Sequence, residues 1–173
     1  MDYQTIEELP KEKLVELIEI FSKNWLALDG VWFQSVEQKY GMEEAVEHDK
    51  NAWRRFTEIE ARRIKAFLGL PEYAGLNGLK QALSFRLYAP LNQSQCYMED
   101  GRLIYKVITC RVQSARARKK MAYHPCKPVG ILEYTYFAKT IDPRIETKCL
   151  SCHPDVVDDS LNCCWEFTIK EDV

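Results

Sequence analysis

One change of rhythm divides this chain. Up to Pro90 apolar residues recur every three or four positions, and after it they fall on alternate positions. The first period buries one face of a helix and the second one face of a strand, so helices come first and a sheet follows. The expected fold class is therefore α+β, with N-terminal helices packed on a roughly four-stranded antiparallel sheet that includes a late crossover helix. With 173 residues, 46% of them hydrophobic, the chain has the material for one core. We read a single domain over residues 1–173, with a helical half (1–92) and a cysteine-rich sheet half (93–173). The same composition excludes disordered, collagenous and low-complexity classes. No apolar run approaches the ~18 residues a membrane span needs. The opening MDYQTIEELPKEK is acidic and does not read as a secretory signal, so the expected compartment is the cytoplasm.

Three helices are expected in the front half. Pro10 suits a first turn, where its missing N–H costs nothing. From there Leu14, Ile18, Phe21, Trp25, Leu28 and Trp32 form one stripe on a helix that runs towards Tyr40, where Gly41 stops it. Three of these six are aromatic, which favours packing into a globular core over a coiled coil, so the stripe is read as core. A second helix is expected over 43–68, with Ala45, Ala52, Phe56, Ile59 and Phe67 inward. A third, over 76–87, carries Leu76, Leu79, Leu83 and Leu87 before Pro90 closes it.

Beyond Pro90, Asp100-Gly101 signals a tight hairpin between strands 93–98 and 103–112. The basic segment QSARARKKM allows a helical turn or two. The segment CKPVGILEYTYFAKTID leans towards strand by its β-branched and aromatic content, but Pro128 suits a helix N1 position and the length suits a mostly buried helix, so a helix is expected. Two strands close the chain, over 144–150 and 162–170. In the second, alternation puts Cys163, Trp165, Phe167 and Ile169 on the core face and Cys164 on the polar one.

Charge is segregated. Residues 1–60 hold 14 acidic and 7 basic side chains, residues 61–140 hold 4 and 14, and residues 141–173 hold 8 and 3. A basic middle points either to an anionic ligand or to acidic helices docked beside it. Arg111, Arg116 and Arg118 are the candidates for an anion site, while helix-turn-helix, zinc-finger and stacking-aromatic signatures of a nucleic-acid binder are missing.

Six of the seven cysteines lie at or after Cys110. In a reducing compartment they are not a disulfide framework. Cys149-Leu-Ser-Cys152 is a C-x-x-C pair, a spacing that turns two thiolates towards one ion. Cys163, on the core face of its strand, and Cys126, just ahead of a helix N-terminus that favours a thiolate, complete the preferred set of Cys126, Cys149, Cys152 and Cys163. Cys110 and His124 are in reserve. Zinc and an iron–sulfur cluster both suit four soft donors. Small buried thiols with no ligand are the plain alternative. Thioredoxin-like chemistry is disfavoured because no βαβ unit surrounds the pair. A nucleophilic cysteine is disfavoured because His124 is too close in sequence to Cys126 to align well.

Several segments together, KLVELIEIFSKNWLALDGVWF, CRVQSARARKK, HPCKPVG, AKTIDPRIETKC and NCCWEF, resemble a prokaryotic family of uncharacterised cytosolic proteins. The order of elements is also distantly similar to the vinyl-reductase-type domain related to the Golgi-transport ligand-binding fold, and to aminothiazoline-carboxylate hydrolase-like proteins. These resemblances imply an α+β domain, dimerisation through helices to a homodimer, and a pocket or metal near the late cysteines. The expected function is a metal-binding or small-ligand-binding module. The alternatives are a metal-assisted hydrolase acting on a small carboxylate-bearing substrate, and an anion or nucleic-acid binder using residues 111–127.

Overall fold

A computed structural model describes residues 4–170. Helix α1 (Lys11–Tyr40) and helix α2 (Met42–Phe67) are parted by the single residue Gly41, whose φ of +92° lies outside what a side chain tolerates. Helix α3 (Gly75–Leu83) follows, then strands β1 (Gln93–Glu99) and β2 (Arg102–Thr109), helices α4 (Arg111–Arg118) and α5 (Lys127–Ile141), and strands β3 (Ile145–Cys152) and β4 (Cys163–Ile169). The sheet is antiparallel throughout, in the order β1-β2-β4-β3. β2 and β3 both flank β4, so the chain must cross over between them, and α4 and α5 form that crossing. Among the described residues no helix is long and apolar enough to cross a membrane.

The expected α+β architecture is present, and its core lies between the sheet and the helices α2, α3 and α5. Leu103, Tyr105 and Val107 of β2 and Trp165 and Phe167 of β4 face Phe137, Ala138 and Ile141 of α5, with Leu79 and Leu83 of α3 beside them. α5 lies very close to the sheet because Gly130 rests on Trp165. A Cβ at Gly130 would come within 2.8 Å of that ring. Asp100 and Gly101, with φ of +48° and +76°, make the expected hairpin turn.

Four local expectations are corrected. The α1 stripe is not core: Ile18, Phe21, Leu28 and Trp32 are exposed, Leu28 at 69%, and Ser22 is the buried residue of this helix. Periodicity identified residues that share a face, but nothing in the described residues covers most of that face. In α2 the inward face is Ala45, Trp53, Thr57, Glu60, Ala61 and Ile64, while Ala52, Ile59 and Phe67 are exposed. Polar Thr57 and Glu60 belong to this face because their bonds are made inside, so a count of apolar residues rotates the helix wrongly. β2 ends at Thr109 rather than at 112. The amide oxygens of Asn162 and Asn92 accept from the backbone N–H groups of Cys110 and Arg111, and α4 begins there. Cys164 does not face solvent. It is buried in a small cluster with Ile104 and Leu161 on the far side of the sheet.

Candidate functional site

On a regular strand two residues three apart face opposite sides, so Cys149 and Cys152 would be separated. A bulge between Cys149 and Ser151 adds one residue to β3. Cys149 then pairs with Trp165, Cys152 pairs with Cys163, and all four share the core face. Cys126 comes to the same place from the N-cap of α5, and the backbone N–H of Lys127 donates to His153 O at 2.8 Å, fastening the start of α5 to the end of β3. The sulfurs of Cys126 and Cys152 are 3.5 Å apart. Cys152 pairs with Cys163 across the sheet, and Cys149 lies on the same face of β3, so Cys152 is the hub about which the quartet is arranged.

The electrostatics follow from that hub. The Cys152 thiol donates, which pushes its own titration up and pulls that of Cys126 down to about 5, with the neighbouring His124 adding to the effect. Cys149 is lowered by the same thiol. Burial opposes charge on His124, but the adjacent Asp49 carboxylate and Cys126 sulfur outweigh it and raise its pKa to about 9. Buried Gln113 holds the His124 backbone at both its N–H and its carbonyl, at 3.0 and 2.8 Å. Asp49 of α2 lies 3.4 Å from His124 Nε2, an ion pair without hydrogen-bond geometry.

A four-thiolate zinc site, with bonds of ~2.3 Å, has sulfur–sulfur edges of ~3.8 Å. The Cys126–Cys152 edge is near that length, and the donors are the right atoms on one face. The ring of donors is not closed, however: among the described residues no group of three or more His, Cys, Asp or Glu side chains is placed to hold an ion.

Beside the quartet lies a cavity of about 390 Å³. α1 roofs it, α2 and α5 wall one side and α4 the other, and the ends of β2, β3 and β4 form its floor. Cys126, Cys152 and Cys163 all line it. So does Cys110, whose thiol burial pushes up to about 12. Aromatic rings dominate the walls, with Trp53 and Tyr88 on one side and Tyr134 and Trp165 towards the sheet. Asp29, from the middle of α1, also lines it. Burial raises the pKa of its carboxyl to about 7, and the carboxylates of Asp49 and Glu133 add to the effect. A second, more open cavity of about 520 Å³ lies between α1 and the β1–β2 hairpin and contains Cys96, whose thiol burial raises to about 11.

Of the three candidate arginines, Arg111 and Arg116 line the cavity and Arg118 does not. The Arg116 guanidinium is buried and makes a two-pronged pair with Glu37 of α1 at 2.8 and 2.7 Å. Arg111 and Arg118 are exposed. The acidic front helices thus dock on the basic middle, as one reading of the charge segregation expects. Asp29 and Asp49 went unnoticed in the sequence because acids on charged helices look solvated. The one available signal was Asp29-Gly30, a helix-disfavoured pair inside the aromatic run NWLALDGVWF.

Residues 7–169 match the model of DUF6125, a family of unknown function, and the chain belongs to that family. No curated protein matches the sequence.

Proposed function

We propose that this protein binds a small molecule in the α1-roofed cavity, beside a metal centre on Cys126, Cys149, Cys152 and Cys163. One observation carries the reading: three of these four sulfurs are also part of the cavity wall. A ligand entering the cavity would therefore meet the metal centre directly, as in a sensing or binding module. Zinc is the ion we favour, with an iron–sulfur cluster as the other occupant the same donors suit. Rotations of Cys149 and Cys163 about χ1 would close the ring around the existing Cys126–Cys152 edge. Four protein thiolates leave no open coordination position, which favours binding over metal-assisted hydrolysis. The distant resemblance to the vinyl-reductase-type domain and to aminothiazoline-carboxylate hydrolase-like proteins implies a pocket or metal near the late cysteines. All seven cysteines are free thiols, which fits the cytoplasm.

Elemental analysis and a visible spectrum of protein purified anaerobically without a metal-binding tag test the centre. One zinc per chain and no colour is the expected result. A brown chromophore replaces zinc by a cluster, and metal-free, colourless protein removes the centre. The ion pair of Asp49 with His124, two residues before Cys126, favours a second reading, a nucleophilic cysteine. It requires Cys126 to alkylate with iodoacetamide at pH 6 far faster than the other thiols, whereas a metal would protect it.

A second copy of the chain is the partner we propose for the exposed side of α1. Phe21, Leu28, Val31 and Trp32 are all more than half exposed along that helix. A 30-residue helix is ~45 Å long, enough for a self-complementary contact about a two-fold axis. A mass of two chains in light scattering is expected, and a monomer at high micromolar concentration would exclude it.

A further inference from the structure

Resting on the cavity reading above, we propose that the ligand is a small organic cation: an amine on an aryl or alkyl body, paired with Asp29 under the roof of the cavity. The inference comes from matching each charge in the cavity wall with its partner. Asp49 has His124. Glu133 accepts from Arg86 at 2.6 Å and from the Tyr88 hydroxyl. Arg116 has Glu37. Asp29 alone among these makes no hydrogen bond or ion pair with any described residue, and the charges acting on it are two carboxylates and one imidazolium. The neighbouring lysines bond elsewhere, Lys23 to Glu19 and Lys119 to Gln34, and Arg111 is exposed on α4.

The walls around Asp29 are aromatic: Trp53, Tyr88, Tyr134 and Trp165 all line the cavity. The cavity thus offers an unmet negative group at its roof with aromatic faces below it. A volume of about 390 Å³ suits an organic molecule rather than a bare ion. An anion would meet the carboxylates of Asp29, Asp49 and Glu133, with only the exposed Arg111 uncommitted among the cations of the wall, and a pure hydrocarbon would leave Asp29 without a partner. An aryl amine matches both features, and the rings of Trp53 and Tyr88 would add cation–π attraction.

The test uses the full chain as purified and three probes of one shape: 4-methoxybenzylamine, 4-methoxybenzyl alcohol and 4-methoxybenzoate, titrated by calorimetry. The amine is expected to bind at least about tenfold more tightly than the other two, and Asp29→Asn is expected to erase that advantage. The variant removes a buried, unpaired charge, so it should fold at least as well as the parent. Equal or tighter binding of the alcohol or the benzoate overturns the inference, as does an amine advantage that survives in D29N; either result leaves the cavity reading intact. Failure of all three probes to bind overturns the cavity reading and the inference with it.

Discussion

Two groups of buried charge lie within this molecule, and they differ in one respect. Around Arg86 every charge has a partner: its guanidinium donates to Glu60 at 2.9 Å and to Glu133 at 2.6 Å, and the second oxygen of Glu60 accepts from the backbone N–H of Leu87. The rings of Tyr88 and Phe137 stack against that guanidinium, each centred 4.6 Å away. Across the cavity wall, the half-buried Asp29 makes no hydrogen bond or ion pair with any described residue. The closed network joins α2, α5 and the α3–β1 loop, and it is scaffold. The open one has the cost of burial without the compensating bonds, which is what a site kept for a ligand looks like.

The largest effect should come from opening the closed network. Arg86→Met removes the only cation between two buried glutamates and is expected to cost about 3–5 kcal/mol, measured by urea unfolding. Adding Glu60→Gln and Glu133→Gln to the same chain should recover part of the loss. If Arg86→Met costs no more than a surface substitution, the two regions are not different in kind.

The open region should respond in the opposite direction. Asp29→Asn is expected to stabilise the ligand-free protein by about 2–3 kcal/mol at pH 8. The sign follows from its titration, which burial and the facing carboxylates of Asp49 and Glu133 raise to about 7, with His124 opposing them. Below the unfolded value near 4 the side chain is neutral in both states and the variant gains nothing. As pH rises towards 7 the parent must hold a charge that the fold disfavours, and its stability falls. The stabilities of the two proteins should converge near pH 4, separate progressively between pH 4 and 7, and differ by a constant amount above that. Parallel curves across that range would mean that Asp29 is solvated.

Gly130→Ala comes next, at about 1–3 kcal/mol, because its methyl group would meet Trp165 at 2.8 Å. The ring has the cavity beside it and can yield in that direction, so probe binding should suffer more than stability. The reverse ranking would show that Trp165 is held as tightly as the closed core.

Much of this fold was legible, but less of the site. Alternation alone placed Cys163, Trp165 and Phe167 on one face, and Gly41 ended α1 where expected. Of the cysteine set named from spacing, the fold brings Cys126 against Cys152 and pairs Cys152 with Cys163, while no three of the set are placed to hold an ion among the described residues. The means was different from a metal-binding loop: a bulge in β3, which has no signature in C-L-S-C. Pairings between distant segments were out of reach for a different reason. Glu60 and Asp49 look like ordinary acids on a charged helix until Arg86 and His124 arrive from elsewhere in the chain, and periodicity cannot report a partner that distant.

The smallest effect on stability tests the exposed side of α1, which belongs to neither network. Leu28 is 69% exposed, so Leu28→Arg should change the stability of the single chain by less than about 0.5 kcal/mol. The helical period, which grouped Leu28 with Phe21 and Trp32, is equally consistent with burial in a core and burial against another molecule. Core burial would make the substitution cost several times more, since a charged head would have to leave water. Contact with a second copy instead predicts normal unfolding at low concentration together with loss of the two-chain mass in light scattering. The two measurements on one variant therefore decide what the stripe is for: unchanged stability with unchanged mass would leave it as simple surface, and a large loss of stability would return it to the core.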